Sequence, residues 1–135
     1  MYVVDPHNRG MNRILEEGNN EQYEYTTIEA TTLDDIVFEN KIERLDLIKI
    51  DIEGYEMHAL SGAVQTLTIF KPVLFIEIGY NRLLKLGTSP NEVMKLLESI
   101  GYTSLHAQTD ERVTSSYDFS HLGDGGIDIV CTAGK

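Results

Sequence analysis

Two acidic residues, Asp51 and Glu77, each stand near the end of a short run of β-branched and apolar residues, DLIKIDI at 46–52 and VLFIEI at 73–78. Ligands of open α/β sheets bind beyond the carboxyl ends of the strands, so if the two runs are neighbouring strands, both carboxylates reach the region where chemistry is done. A carboxylate there can orient a hydroxyl and take its proton. Asp51 is the first candidate for that role and Glu53 the second. The competing reading is that both acids only favour the positive end of the helix that follows, and for Glu56, in that helix's first turn, the dipole alone would account for the charge. Lys49 precedes Asp51 by two residues and shares its sheet face. A charge inside a strand needs a partner. Glu77 is the expected one, with the holding of a ligand carboxylate or phosphate as the alternative.

Other constellations carry less. Asp51 and Glu53 could bind magnesium as paired carboxylates, but no further acidic cluster adjoins them. Asp124-Gly125-Gly126 has no helix after it to receive an anion and is read as a turn. His7, His58, His106 and His121 have no ligand spacing, so no metal site is expected. Cys131 follows Ile129 and Val130 and reads as a buried strand thiol.

The elements that must position these residues follow from periodicity. Residues 1–31 form an irregular lead-in with Pro6, Gly10 and Gly18, strand-capable only over 22–30, and an α/β core occupies 32–135. Thr32, with Asp35 three residues on, can cap a short helix over 32–38. A strand at 46–52, buried on both faces, precedes one amphipathic helix over 55–69 carrying Met57, Leu60, Val64 and Leu67. After the second strand, Ser89-Pro90-Asn91-Glu92 opens a helix with Val93, Leu96, Leu97 and Ile100 inward, and Gly101 ends it. Strands at 102–108 and 127–133 follow. This order predicts half of a doubly wound α/β fold, a mostly parallel sheet ending in an antiparallel C-terminal strand pair.

Three stretches, TLDDI at 32–36, LDLIKIDIEGYEMHALSGA at 45–63 and KPVLFIEI at 71–78, together resemble the FkbM methyltransferases. The resemblance rests on Lys49, Asp51, Glu53, Gly54, Glu56, Gly62, Ala63, Pro72 and Glu77, and DPHNRGMNRIL at 5–15 is similar to the segment that precedes the TLD element in that family. It implies a Rossmann-like class I methyltransferase fold, S-adenosylmethionine as cofactor, and O-methylation of a hydroxyl on a small-molecule or glycan acceptor. Asp51 and Glu53 would then be catalytic, with Lys49, Glu56 and Glu77 supporting on the acceptor side. The family's fold begins with a strand and a glycine-rich turn that cradle the cofactor, and neither that turn nor the ribose-binding acid has a counterpart here. The chain is therefore expected to be the C-terminal part of the domain, inactive alone and weak in binding S-adenosylmethionine. The alternative is a non-catalytic α/β module that self-associates or complements another chain. Without its neighbouring strand, DLIKIDI would be an edge lacking proline and carrying one cation, which predicts a homodimer through that edge.

The 135 residues fit one modest domain, with 41% hydrophobic and 24% charged residues and no low-complexity tract. Twenty-two acidic residues against eleven basic ones give a formal charge of −11, which repels nucleic-acid backbones and anionic membranes. The opening MYVVDPHNRG has neither a cationic flank nor a long apolar run, and no apolar stretch reaches spanning length, so a cytoplasmic location is expected.

Overall fold

The first helix begins where the chain supplies its own cap. In a computed structural model that describes residues 29–134, Thr32 accepts the Asp35 amide at 3.0 Å and donates its hydroxyl to the Asp35 carboxylate at 2.6 Å. Helix α1 (Leu33–Glu39) follows from that cap and ends at Asn40, whose side-chain amide donates to the Ile36 carbonyl. The chain divides into two units, Met1–Thr31 and Thr32–Lys135, and every element named here belongs to the second. The strand expected at 22–30 lies outside the described residues apart from Glu29 and Ala30, which are irregular.

Strand β1 (Leu47–Ile50) leads to helices α2 (Glu56–Ser61) and α3 (Val64–Phe70), then to strand β2 (Val73–Gly79). One helix was expected over 55–69, and the structure breaks it at Gly62-Ala63. The break has a cause in α1. The Asp34 amide donates to the Gly62 carbonyl at 3.0 Å, and a Cβ on Gly62 would come within 3.1 Å of Thr32. Asp34 then caps α3 from outside, its two carboxylate oxygens accepting the amides of Gln65 at 3.1 Å and Thr66 at 2.8 Å. Ala63, at the cap position itself, has no side chain to do so. The TLD element and the Gly-Ala pair thus form one joint.

After β2 come helix α4 (Tyr80–Lys85), helix α5 (Pro90–Ser99), strand β3 (Tyr102–His106), the short strand β4 (Arg112–Val113) and strand β5 (Gly126–Ala133). The start of α5 is as the sequence predicts: Ser89 accepts the Glu92 amide, Pro90 is the first helical residue, and Gly101 at φ +89° supplies the left-handed position after the end. Strand β3 stops at His106, two residues short of expectation, because a turn with Asp110 at φ +58° folds the chain back into β4.

The sheet order is β1-β2-β5-β3-β4, and among the described strands only β1 and β2 pair in parallel. The expected antiparallel pair, β3 with β5, is present, but the mostly parallel sheet is corrected to a mixed one. Strand β5 runs between β2 and β3, antiparallel to both, with Glu77 opposite Asp128 and Ser104 opposite Cys131. Burial alternates along the strands with the pleat. Ile50, Leu74, Ile76, Ile78, Ile127, Ile129 and Cys131 are buried in one cluster with Leu60, Leu67, Leu83, Val93 and Leu97 of the helices. That cluster fixes the core on one side of the sheet. The other side carries Leu47, Lys49, Phe75, Glu77 and Asp128, each at least partly exposed, so double winding is not seen among the described residues and β1 is not buried on both faces.

The Cys131 thiol is buried beside the Ser104 hydroxyl, as a core thiol should be, and burial pushes it up to about 11. Tyr102 is also buried, donating to the Pro72 carbonyl at 3.0 Å, and burial pushes its phenol up to about 12. No helix among the described residues is long and apolar enough to cross a membrane.

Candidate functional site

The parallel pairing of β1 with β2 sets Lys49 opposite Phe75 and Ile50 opposite Ile76. Asp51, one residue beyond β1, therefore comes level with Glu77, as their positions near two adjacent strand ends predict. The two carboxyls are close enough for each to shift the titration of the other. Around them lies an open cleft of about 360 Å³ lined by Lys49, Asp51, Phe75, Glu77, Gly126, Ile127 and Asp128. A larger hollow of about 520 Å³ lies between α1 and α3, lined by Phe38, Ile69 and Phe70 among others. Asp34, one of its acids, is spent capping α3. The strand-end cleft, with convergent titratable groups, is the stronger candidate.

The ion pairs differ from expectation. Lys49 was expected to pair with Glu77, but its ammonium reaches Asp51 at 2.8 Å, and its side chain is 63% exposed, not enclosed within the sheet. Glu77 instead meets Arg82 of α4, Oε1 accepting from Nη2 at 2.6 Å. The other arm of the same guanidinium, Nη1, donates to Oε2 of Glu53 at 2.7 Å. The five side chains form a line, Lys49, Asp51, Glu77, Arg82 and Glu53, with the two facing carboxyls flanked by a cation at each end.

Their titration follows from this order. Lys49 holds Asp51 below the usual aspartate value, with Glu77 adding to the effect. Burial pushes Glu77 up, the Arg82 hydrogen bond pulls it the other way, and the neighbouring Asp51 adds to burial so that the net direction is upward. Asp51 consequently stays ionised while Glu77 holds a proton more firmly, a division of roles of the kind that separates base from acid. Lys49 is raised in turn by its bond to Asp51. For Arg82 burial alone would lower the value, but the hydrogen bonds to Glu53 and Glu77 outweigh it and raise it.

Local backbone explains why the acids diverge after Asp51. Glu53 takes a left-handed φ of +58° and Gly54 a φ of +109°, which turns the Glu53 side chain out of the cleft lining and toward Arg82. A Cβ on Gly54 would sit 2.9 Å from the Arg82 carbonyl, so glycine is required there for space as well as for φ. Glu56 is 2% exposed, and its Oε1 accepts the Gly54 amide at 3.0 Å. It closes the turn and does not face the cleft. Of the sequence candidates, Lys49, Asp51 and Glu77 are brought together, Glu53 joins them through Arg82, and Glu56 lies inside.

Sequence reasoning missed Arg82 and Asp128. Helix α4 has no side-chain cap, only Gly79 before it. The readable signal was Leu83 and Leu84 followed by Gly87, at φ +75°, as a stop. Asp128 lines the cleft because β5 pairs with β2. No group of three or more histidine, cysteine, aspartate or glutamate side chains suited to a metal ion occurs among the described residues.

Comparison with curated proteins returned no match, and neither did comparison with solved structures. The family model of the methyltransferase FkbM domain matches residues 2–104, which takes in β1, β2 and both ends of the Lys49-to-Glu53 line, while β5 lies beyond the match. With more than half of its length matched in this way, the chain belongs to the FkbM methyltransferase family.

Proposed function

We propose that the chain serves S-adenosylmethionine-dependent O-methylation of a hydroxyl on a small-molecule or glycan acceptor in the cytoplasm, with Asp51 as the base. The observation that carries this reading is the meeting of Asp51 and Glu77 at the ends of adjacent parallel strands, with Asp51 held below its ordinary value by Lys49 and Glu77 raised above its own by burial. The carboxylates of the cleft, Asp51 and Asp128, suit the cationic end of S-adenosylmethionine, which supplies an electrophilic methyl group when bound. Its adenosine finds no glycine-rich turn between a strand end and a helix among the described residues, so tight binding requires residues outside 29–134 or a second chain.

What the chain's own residues do is simpler. Asp51 accepts a hydrogen bond from the acceptor hydroxyl and takes its proton as the oxygen gains the methyl group. Lys49 keeps Asp51 ionised for that purpose. Glu77 stands level with Asp51 on the neighbouring strand. The test is methyl transfer from labelled S-adenosylmethionine to a panel of hydroxyl-bearing acceptors. Asp51→Asn should lower turnover about a hundredfold or more with the melting temperature retained. Unchanged activity per folded molecule in that variant would defeat the reading.

A second reading rests on β1, whose outer edge has no paired strand among the described residues and whose Leu47 is 60% exposed. A homodimer through this edge would cover it. Light scattering across a concentration series decides: a strictly monomeric mass at high micromolar protein rejects the dimer.

A further inference from the structure

We propose that Arg82 is a positioning residue for Asp51, acting through Glu77: by bridging Glu53 and Glu77 it fixes the Glu77 carboxyl beside the Asp51 carboxylate. The inference rests on the reading of Asp51 as the base.

Two carboxyls level with each other on neighbouring parallel strands repel each other when both are charged, and either could swing away into the open cleft. On the β1 side, Lys49 restrains Asp51 at 2.8 Å, but that ammonium is largely exposed and a weak anchor. On the β2 side the restraint is built differently. The Arg82 side chain is only 16% exposed, and it uses both terminal nitrogens, at 2.7 Å to Glu53 and 2.6 Å to Glu77. A planar guanidinium held at two points fixes direction as well as distance, which an ammonium cannot do.

The backbone has been cleared to seat it. A Cβ on Gly79 would overlap Arg82 Nε, and one on Gly126 would lie 3.0 Å from Arg82 Nη2 and 3.2 Å from Glu77 Oε1. Strands β2 and β5 thus each give up a side chain where the guanidinium and the Glu77 carboxyl meet. Arg82 Nε is buried with no hydrogen-bond partner among the described residues. Leaving a donor unmet is unfavourable, so the position of the guanidinium is dictated by the two carboxylates it bridges. Among the described residues the charged groups facing the pair are Lys49 from β1, Asp128 from β5, Arg82 from α4, and Glu53 behind Arg82 from the turn after β1.

The test is carbon-13 carboxyl titration of the full chain by NMR, with Asp51 and Glu77 assigned from Asp51→Asn and Glu77→Gln. In Arg82→Ala Glu77 should titrate higher by about one pH unit or more and Asp51 higher by less, because the cation that favours their ionised forms is gone from beside Glu77. Added guanidinium should restore the native titration, and Arg82→Lys should restore it only in part. Glu53→Gln, which keeps Arg82 but removes one of its anchors, gives an intermediate shift even if Arg82→Ala fails to fold. Unchanged titration of both carboxyls in Glu53→Gln and Arg82→Lys overturns the proposal, as does a shift in Arg82→Ala that guanidinium leaves in place. Because the readout is titration, full activity in Asp51→Asn would remove Asp51 as base without touching the Arg82 result.

Discussion

Replacing Asp34 by alanine should destabilise the protein although the residue lies outside the candidate site. Its carboxylate is the cap of α3: Oδ2 takes the Gln65 amide at 3.1 Å and Oδ1 the Thr66 amide at 2.8 Å, while Ala63 offers nothing in their place. Loss of a capping side chain costs up to about 2 kcal/mol, and hydrogen bonds to a charged acceptor stand near the upper end of that range. At roughly 4 °C of melting temperature per kcal/mol for a domain of this size, Asp34→Ala should melt about 8 °C lower. Asp34→Asn, which keeps one acceptor oxygen, should lose about half as much. Asp35→Ala, whose carboxylate meets only the exposed Thr32 hydroxyl, should lose about 0.5 kcal/mol or less. The pH dependence has a definite sign. Burial would raise Asp34, but the hydrogen bonds from Thr66 and Gln65 prevail and hold it below its ordinary value of 3.8. Its contribution is therefore present above 3.8 and disappears as the pH falls through the lower folded value. Thermal melts of the three variants and the parent, at pH 7 and in acid, are the assay. Equal melting of Asp34→Ala and Asp35→Ala at pH 7 would refute the capping argument.

Gly54→Ala should cost upward of about 2 kcal/mol in denaturant titration, since φ +109° is strained for alanine and its Cβ meets the Arg82 carbonyl at 2.9 Å. Cys131, buried with its thiol raised to about 11, should react with a thiol reagent at pH 7 only as fast as the chain unfolds, and denaturant should release it. Once an acceptor is found, the rate should hold down to acid pH and fall only as Asp51 protonates below the usual aspartate value, so Lys49→Met should move that fall to higher pH.

The cap residues and the strand runs were legible because their signals are local. Thr32 with Asp35, and Ser89 with Pro90 and Glu92, act within one helical turn, and the alternation in VLFIEI survives as Leu74, Ile76 and Ile78 buried. The neighbouring positions of Asp51 and Glu77 also followed from two runs that each carry an acid one residue before their end. What could not be read depends on residues far apart in the chain. Gly62 looked like a helix residue because the group that interrupts it, at Thr32 and Asp34, comes from another helix. Lys49 was assigned the wrong partner because Glu77 had a closer cation in Arg82, on a helix with no cap to announce it. Strand β5 was read as the end of an antiparallel pair, and nothing in GIDIVCTA states that it has two neighbours.

That position of β5 has a consequence for how the protein is made. Strands β2 and β3 meet only through it, so a nascent chain that has completed β3 still has its sheet in two pieces, with Ile76 and Ile78 lacking their partners at Ile129 and Ile127. Folding must wait for residues 126–133 to emerge, and until then two apolar strand edges are open to misplaced pairing. A frameshift or a truncation between β3 and β5 would therefore remove the middle of the sheet, along with Asp128 and the glycine against which Arg82 rests.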